Sequence, residues 1–171
     1  MKRNGRPIGG VTISVEYETL ALNLVKEQHT MTLATAGADG PWAAPVYYVF
    51  SESAFYFFSK PSSRHIQQSL ASGRASAAIF AQVPRWQDIR GLQMSGALNA
   101  VSPGPAALRA ICAYLKKFPF TQGFFDPSER IDHSAFSIRF GVSLYRFAPD
   151  QVYYLDNSIG FGFRVIVHLN E

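Results

Sequence analysis

The chain predicts a mainly β fold: roughly six or more antiparallel strands curled into a small barrel, with about three helices inserted between them. Three observations lead there. Short runs rich in aromatic and β-branched residues alternate with Gly-, Pro-, Asp- and Ser-containing turns. Several of these runs, Val46 to Phe50 above all, are apolar on both faces, so both sides of the sheet must be covered. Gly96 interrupts one of the longest runs, where a bulge can bend the sheet.

Met1 to Gly10 is polar and glycine-rich, and residues 1–13 are expected to be a flexible tail ahead of one domain over 14–171. A first helix is predicted over Val15 to Gln28: Ser14 is its N-cap, Glu16 and Glu18 occupy its first turn, and Tyr17, Leu20, Ala21 and Leu24 recur at helical spacing. Met31–Ala36, Trp42–Phe50 and Ala54–Ser59 are read as three strands of a meander, because only short turns separate them. A short helix ends at Gly73, and Arg74–Gln82 and Arg90–Val101 follow as strands. Ser102 caps the next helix, with Pro103 and Pro105 in its first turn. Its stripe of Leu108, Ile111, Cys112 and Leu115 marks a core face, which makes Cys112 a buried packing residue. Lys116 and Lys117 suit the negative end of that helix. Phe118 to His133 is loop-rich. Phe136–Phe147 is read as a long strand, Pro149 and Asp150 as a turn into Val152–Leu155, Asp156–Gly162 as a glycine-containing loop, and Arg164–Leu169 as a last strand.

Composition limits the function. Charged residues make up 16% of the 171 residues, below the typical quarter, so much of the surface is expected to face a second copy or an apolar ligand. A net charge of +4 without a basic stripe does not describe a nucleic-acid surface. A single cysteine forbids an intramolecular disulfide and suits a reducing cytoplasm. No apolar run approaches the ~20 residues of a membrane helix.

The most informative segment runs from the aromatic strand Phe55–Phe58 through Ser59, Lys60 and Pro61 to a helix opened by Ser62, Ser63, Arg64 and His65. A helix N-terminus offers free N–H groups and the positive end of the dipole to an anion. Hydroxyls, a lysine and an arginine add donors there, and together they suit a phosphate. The same residues in a chain without a ligand would form an ordinary helix cap. Catalytic signatures are missing. There is no GxGxxG, no P-loop, no GxSxG elbow, no metal-ligand spacing among His29, His65, His133 and His168, and no paired carboxylates, so no catalytic residue is named. A chain with a phosphate cradle and no catalytic cluster leaves the chemistry to a cofactor.

The succession TLATAGADGPWAAPVYYVF, AFYFFSKPSSRHIQQSL, RASAAIF and GLQMSGAL resembles the FMN-binding split-barrel superfamily typified by pyridoxamine 5′-phosphate oxidase. The resemblance implies a six-or-more-stranded antiparallel split barrel of Greek-key type that binds FMN at a homodimer interface. It places Ser59, Lys60, Ser63, Arg64 and His65 at the FMN phosphate and Pro45, Val46, Tyr47 and Tyr48 along the isoalloxazine ring. Gln93 falls where a partner subunit touches the flavin. The implied activity is oxidoreduction of a small molecule, with a nicotinamide donor or an oxidisable substrate. His65 stands where the oxidase has a lysine, and the oxidase's C-terminal substrate residues have no counterpart. The same fold as a non-catalytic module for haem, deazaflavin or stored flavin is the alternative, and a dimer with a degenerate pocket is a further one. Trp86 is expected to pack rather than to cover the ring, and Asp156, Asn157 and Arg164 to shape a turn.

Overall fold

The computed structural model describes residues 12–126 and 131–170. In chain order the elements are α1 (Thr12–Glu27), β1 (Thr30–Gly37), β2 (Gly40–Tyr47), β3 (Val49–Ser51), β4 (Ala54–Ser59), α2 (Arg64–Ser72), β5 (Arg74–Phe80), β6 (Arg90–Ala100), α3 (Pro105–Lys117), α4 (His133–Phe140), β7 (Ser143–Asp156) and β8 (Arg164–Ile166). Short 3₁₀ turns cover Trp86–Asp88 and Pro119–Phe124. Residues 1–11, most of the expected tail, lie outside the described residues.

The sheet runs β2-β1-β5-β6-β7-β4-β3, every pair antiparallel, with β8 added to β7. Its two terminal strands, β2 and β3, are consecutive in sequence and separated by Tyr48 alone. Seven flat strands would place those edges roughly 28 Å apart at ~4.8 Å per step. Two Cα steps span at most ~7.6 Å. The sheet is therefore curled until its edges nearly meet, and the barrel is split at Tyr48.

Two cores follow from this curl. Inside it, Leu33, Val46, Tyr48, Phe55, Phe57, Leu92, Phe147 and Tyr154 pack together, and α1 plugs the space with Ala21, Leu24 and Val25. On the outer side of β3 and β4, Val49, Ala54 and Tyr56 pack against Ala107, Ala110, Ile111 and Tyr114 of α3 and Phe136 of α4. The two-sided apolarity of this part of the sheet is thus met by the chain's own helices. Pro45 and Tyr47 of β2 stay exposed.

The structure corrects several expectations. Ser14 lies inside α1, which begins at Thr12, so it is not the N-cap. Trp42–Phe50 is two strands rather than one, and β2 and β3 belong to opposite edges rather than to a meander. Gly104, not Ser102, precedes α3. The buried face of α3 is Ala107, Ala110, Ile111 and Tyr114, one position away from the expected stripe, because the aromatic layer of Tyr56, Tyr114 and Phe136 lies on that side. Leu108 and Cys112 are consequently exposed. Phe136–Phe140 is helical: Asp132 caps α4 by accepting from the amides of Ser134 and Ala135, and strand pairing starts only at Ser143. Pro149 does not turn the chain. β7 passes straight through it, using a register shift opposite Ser95 and Gly96.

That shift explains Gly96. A Cβ there would lie 2.1 Å from the Ala148 carbonyl oxygen and 2.6 Å from Pro149 Cα. Both neighbours are backbone and cannot yield. Gly96→Ala is expected to destabilise the protein by about 3 kcal/mol or more in urea unfolding, at the top of the overpacking range. Gly123→Ala, with nothing within 4 Å of the new methyl, should stay within about 0.5 kcal/mol of the parent.

Candidate functional site

The aromatic strand β4 ends at Ser59, and Lys60 to Ser63 turn the chain into α2. The turn is closed by the Ser63 amide donating to the Lys60 carbonyl at 3.0 Å. Ser63 is the extended residue before α2, but its hydroxyl makes no capping bond. The hydroxyl is turned toward Ser59, whose Oγ donates to it at 3.4 Å. Ser59 Oγ also lies 2.9 Å from His65 Nε2. Ser59 and His65 are each only 9% exposed. As the first residues of the helix, Arg64 and His65 have amides without intrahelical acceptors. Two hydroxyls, one imidazole and two free N–H groups therefore converge at the positive end of α2. Burial pushes the His65 imidazole below its ordinary value of 6.5, so the ring is neutral at pH 7.

Arg64 takes another direction. Its Nη2 donates to the Asp39 carbonyl at 2.6 Å and the Gly40 carbonyl at 3.2 Å, and its guanidinium lies 4.7 Å from the Trp42 ring centre. Gln68 adds a bond to Gly40 and accepts from Thr35 Oγ1 at 2.6 Å. The first turns of α2 are thus clamped onto the β1–β2 hairpin. Arg64 Nε is buried and bonded to nothing, a donor held in reserve one residue from Ser63. Lys60 is exposed.

β2 divides the four residues placed along the ring. Val46 and Tyr48 turn into the core; Tyr48 is fully buried and donates its hydroxyl to the Val25 carbonyl at 2.9 Å. Pro45 and Tyr47 face outward, Tyr47 being 49% exposed and edge-on to Phe118 and Phe120. The strand registers put Pro45, Thr32, Ala78, Gln93 and Tyr153 in one row across the outer face. Small side chains in this row leave an open groove of about 390 Å³. Gln93 accepts from Arg164 Nη1 at 3.3 Å on its rim. Pro45 and Gln93 are three strands apart, about 14 Å, so one protomer does not bring them together.

Trp86 is half-exposed and packs edge-on against Phe161 at 5.6 Å, outside the core. Asp156 and Asn157 do build a turn. Burial pushes Asp156 upward, but bonds from Ser158 and Tyr154 and the charge of Arg90 hold its carboxyl below the usual range. Asn157 donates to the Trp86 carbonyl and accepts from the Gly162 amide. Sequence reasoning missed Trp42 and the two hairpin carbonyls as the destination of Arg64, since no local pattern links residues about two dozen apart. It also missed the polar rim of Thr32, Ser76 and Ser95, which only the sheet order assembles.

The family model for pyridoxamine 5′-phosphate oxidase matches residues 19–155. The UPF0306 protein of Klebsiella pneumoniae is 27% identical over 149 residues, covering 85% of this chain and 90% of its own. The crystal structure of HutZ, the haem storage protein of Vibrio cholerae, superposes with a TM-score of 0.66 at 15% identity, covering 86% of this chain and 99% of that one. A FAD-binding protein from Mesorhizobium loti superposes with a TM-score of 0.56 at 17% identity, covering 78% and 90%. These two likenesses show the fold.

The His65 environment has a pH consequence. The unfolded imidazole binds a proton near 6.5, whereas the folded one resists until lower pH. Stability from neutral His65 is complete above that value and is lost as pH falls through it toward the folded value. Urea midpoints measured between roughly pH 7 and pH 5 should therefore fall, and His65→Gln should flatten that slope.

Proposed function

Because this chain belongs to the pyridoxamine 5′-phosphate oxidase family, we propose that it is a flavoprotein whose two-protomer form binds FMN and uses it for oxidoreduction of a small molecule. The observation that carries the reading is the convergence of Ser59, Ser63, His65 and the free amides of Arg64 and His65 at the positive end of α2. All of these except a neutral imidazole nitrogen are donors, and a phosphomonoester is all acceptors. Lys60 supplies charge from the same turn, and the reserved Arg64 Nε adds a further donor.

The row of small residues along the outer face supports a flat ring. Thr32, Ala78 and Gln93 make a floor on which a planar group can lie without displacing a core side chain. Pro45 and Tyr47 would flank it from β2, and Gln93 would reach it from the second copy. FMN supplies hydride or electron transfer, accepting from a nicotinamide or an oxidisable substrate. The chain's own part is to grip the phosphate, hold the ring and keep water from one face. A second copy also accounts for apolar surface that Phe80, Trp86, Phe161 and Ile166 leave around this face. The exposed thiol of Cys112 suits a reducing cytoplasm.

A second reading has support of its own. The haem storage protein shares the fold, and a haem-binding protein from Mycobacterium smegmatis does too, with a TM-score of 0.65 at 20% identity. Against it, the His65 ring nitrogen is already engaged by Ser59. His29 and His168 are exposed.

A visible spectrum of the purified protein separates the two. A flavin spectrum with FMN released by acid is the expected result, and a haem spectrum favours the second reading. The phosphate cradle has its own check: the double substitution Ser59→Ala and Ser63→Ala should weaken FMN by about a hundredfold or more, given ~1.5–3 kcal/mol for each of two hydrogen bonds to a charged group. Riboflavin, which lacks the phosphate, should bind both proteins equally. Equal loss of both ligands would remove the cradle from the reading.

A further inference from the structure

Three lysines meet where two helices end. Lys26 is in the last turn of α1, and Lys116 and Lys117 are in the last turn of α3. With Val25, Val49, Phe50 and Ala113 they line an open groove of about 410 Å³ between α1, β3 and α3. That volume lies within the ~300–1,000 Å³ of small-molecule sites. The groove has apolar walls and a cationic rim. The ion pairs of Asp150, Asp88, Asp156 and Glu52 are with arginines, not with these lysines. Glu27 is adjacent to Lys26 in sequence but does not line the groove.

Lys117 is the deepest of the three. Its Nζ lies 4.0 Å from the centre of the Tyr48 ring and donates to the carbonyls of Gln28, at 2.7 Å, and Val25, at 3.3 Å. Burial pushes its amine down to about 8. This ammonium has given up water and received only backbone dipoles and an aromatic face in return. The two helix ends each contribute about half a negative charge. Three ammonium groups against roughly one such charge leave the groove positive by about two. A purely apolar occupant, including an uncharged patch of another protein, would strip water from that charge without compensating it. A bare inorganic anion would leave the partly exposed Phe50 and Ala113 unused.

We propose that this groove binds a fatty acid, its carboxylate against Lys117 and Lys116 and its hydrocarbon chain along Phe50, Ala113 and the aliphatic stems of the lysines. The site lies apart from the α2 cradle and the outer sheet face, and it does not depend on the cofactor reading.

Dodecanoate, titrated by calorimetry into the full chain, tests it. One-to-one saturable binding is expected, with dodecanol, the same tail without the charge, at least tenfold weaker. Lys116→Glu reverses a rim charge at an exposed position, and Ala113→Phe fills the groove. Each should weaken dodecanoate at least tenfold while the thermal midpoint and bound cofactor stay as in the parent. NMR of the Lys117 side chain should show its amine titrating at higher pH once dodecanoate is bound. Absence of saturable binding, equal binding of dodecanol, or retained affinity in either variant would overturn the proposal. Lys117→Gln is the weaker test, because it also removes two bonds to the end of α1.

Discussion

Tyr48 is the single residue that joins the two edges of the sheet, and most of the architecture follows from how it is held. Its amide donates to the His29 carbonyl and its hydroxyl to the Val25 carbonyl, both beside the end of α1. The ring fills the barrel interior against Phe55. Lys117 Nζ lies over the same ring and donates to the same Val25 carbonyl. The seam of the barrel, the end of α1 and the end of α3 are therefore tied at one point. With an uncurled sheet, β2 and β3 could not be consecutive, and the outer row from Pro45 to Gln93 would lose its curvature.

The curl also determines which surfaces remain free. At one end of the sheet β3 and β4 turn their outer side to α3 and α4, which bury it in an aromatic layer of Tyr56, Phe58, Tyr114 and Phe136. Toward the other end, β2, β1, β5 and β6 receive no helix on that side. The outward positions that line the groove there are small or polar, Thr32, Ala34, Ser76, Ala78, Gln93 and Ser95. The same chain thus covers one part of its sheet with its own helices and leaves another available to a ring or a second protomer.

Much of this was legible in the sequence, and the failures have physical reasons. The short turns bounding Met31–Ala36 and Ala54–Ser59, the bulge at Gly96 and the strand–turn–helix around Ser59 to His65 are local signals, and they held; the single strand over Trp42–Phe50 and the Pro149 turn did not. Position 48 gave no signal, because Tyr48 reads as one more aromatic in a β-run and its edge-joining role depends on strand order. The α3 face was misplaced because Leu108, Cys112 and Leu115 match a helical stripe as well as Ala107, Ala110 and Tyr114 do; volume favours the first set, while the aromatic layer requires small residues at the second. Phe136 to Phe140 suited a strand by composition, yet the Asp132 cap and Gly141, in the left-handed region at φ 63°, close a short helix there. Arg64 was placed at the phosphate by its type and by the family resemblance; its guanidinium donates to carbonyls of a distant hairpin, which no local pattern signals.

The charge balance of the cradle gives the last step. Under the proposed reading a phosphate dianion would meet the charge of Lys60 from the exposed turn, while the buried groups are neutral hydroxyls, amides and a neutral imidazole, and the Arg64 Nη2 is turned to the hairpin. The attraction comes from the helix end, worth about 0.3–1 kcal/mol at exposed sites and up to ~2 where partly buried, and from charge-assisted bonds of ~1.5–3 kcal/mol each. A few such bonds suffice for micromolar affinity, about 8 kcal/mol. An arginine moved into the cradle would have to leave Asp39, Gly40 and Trp42, and the hairpin would lose the contact that orients α2. Arg64 as a brace thus keeps the helix end in place, and the proposed grip of Ser59, Ser63 and His65 leaves Lys60 as the turn's free charge.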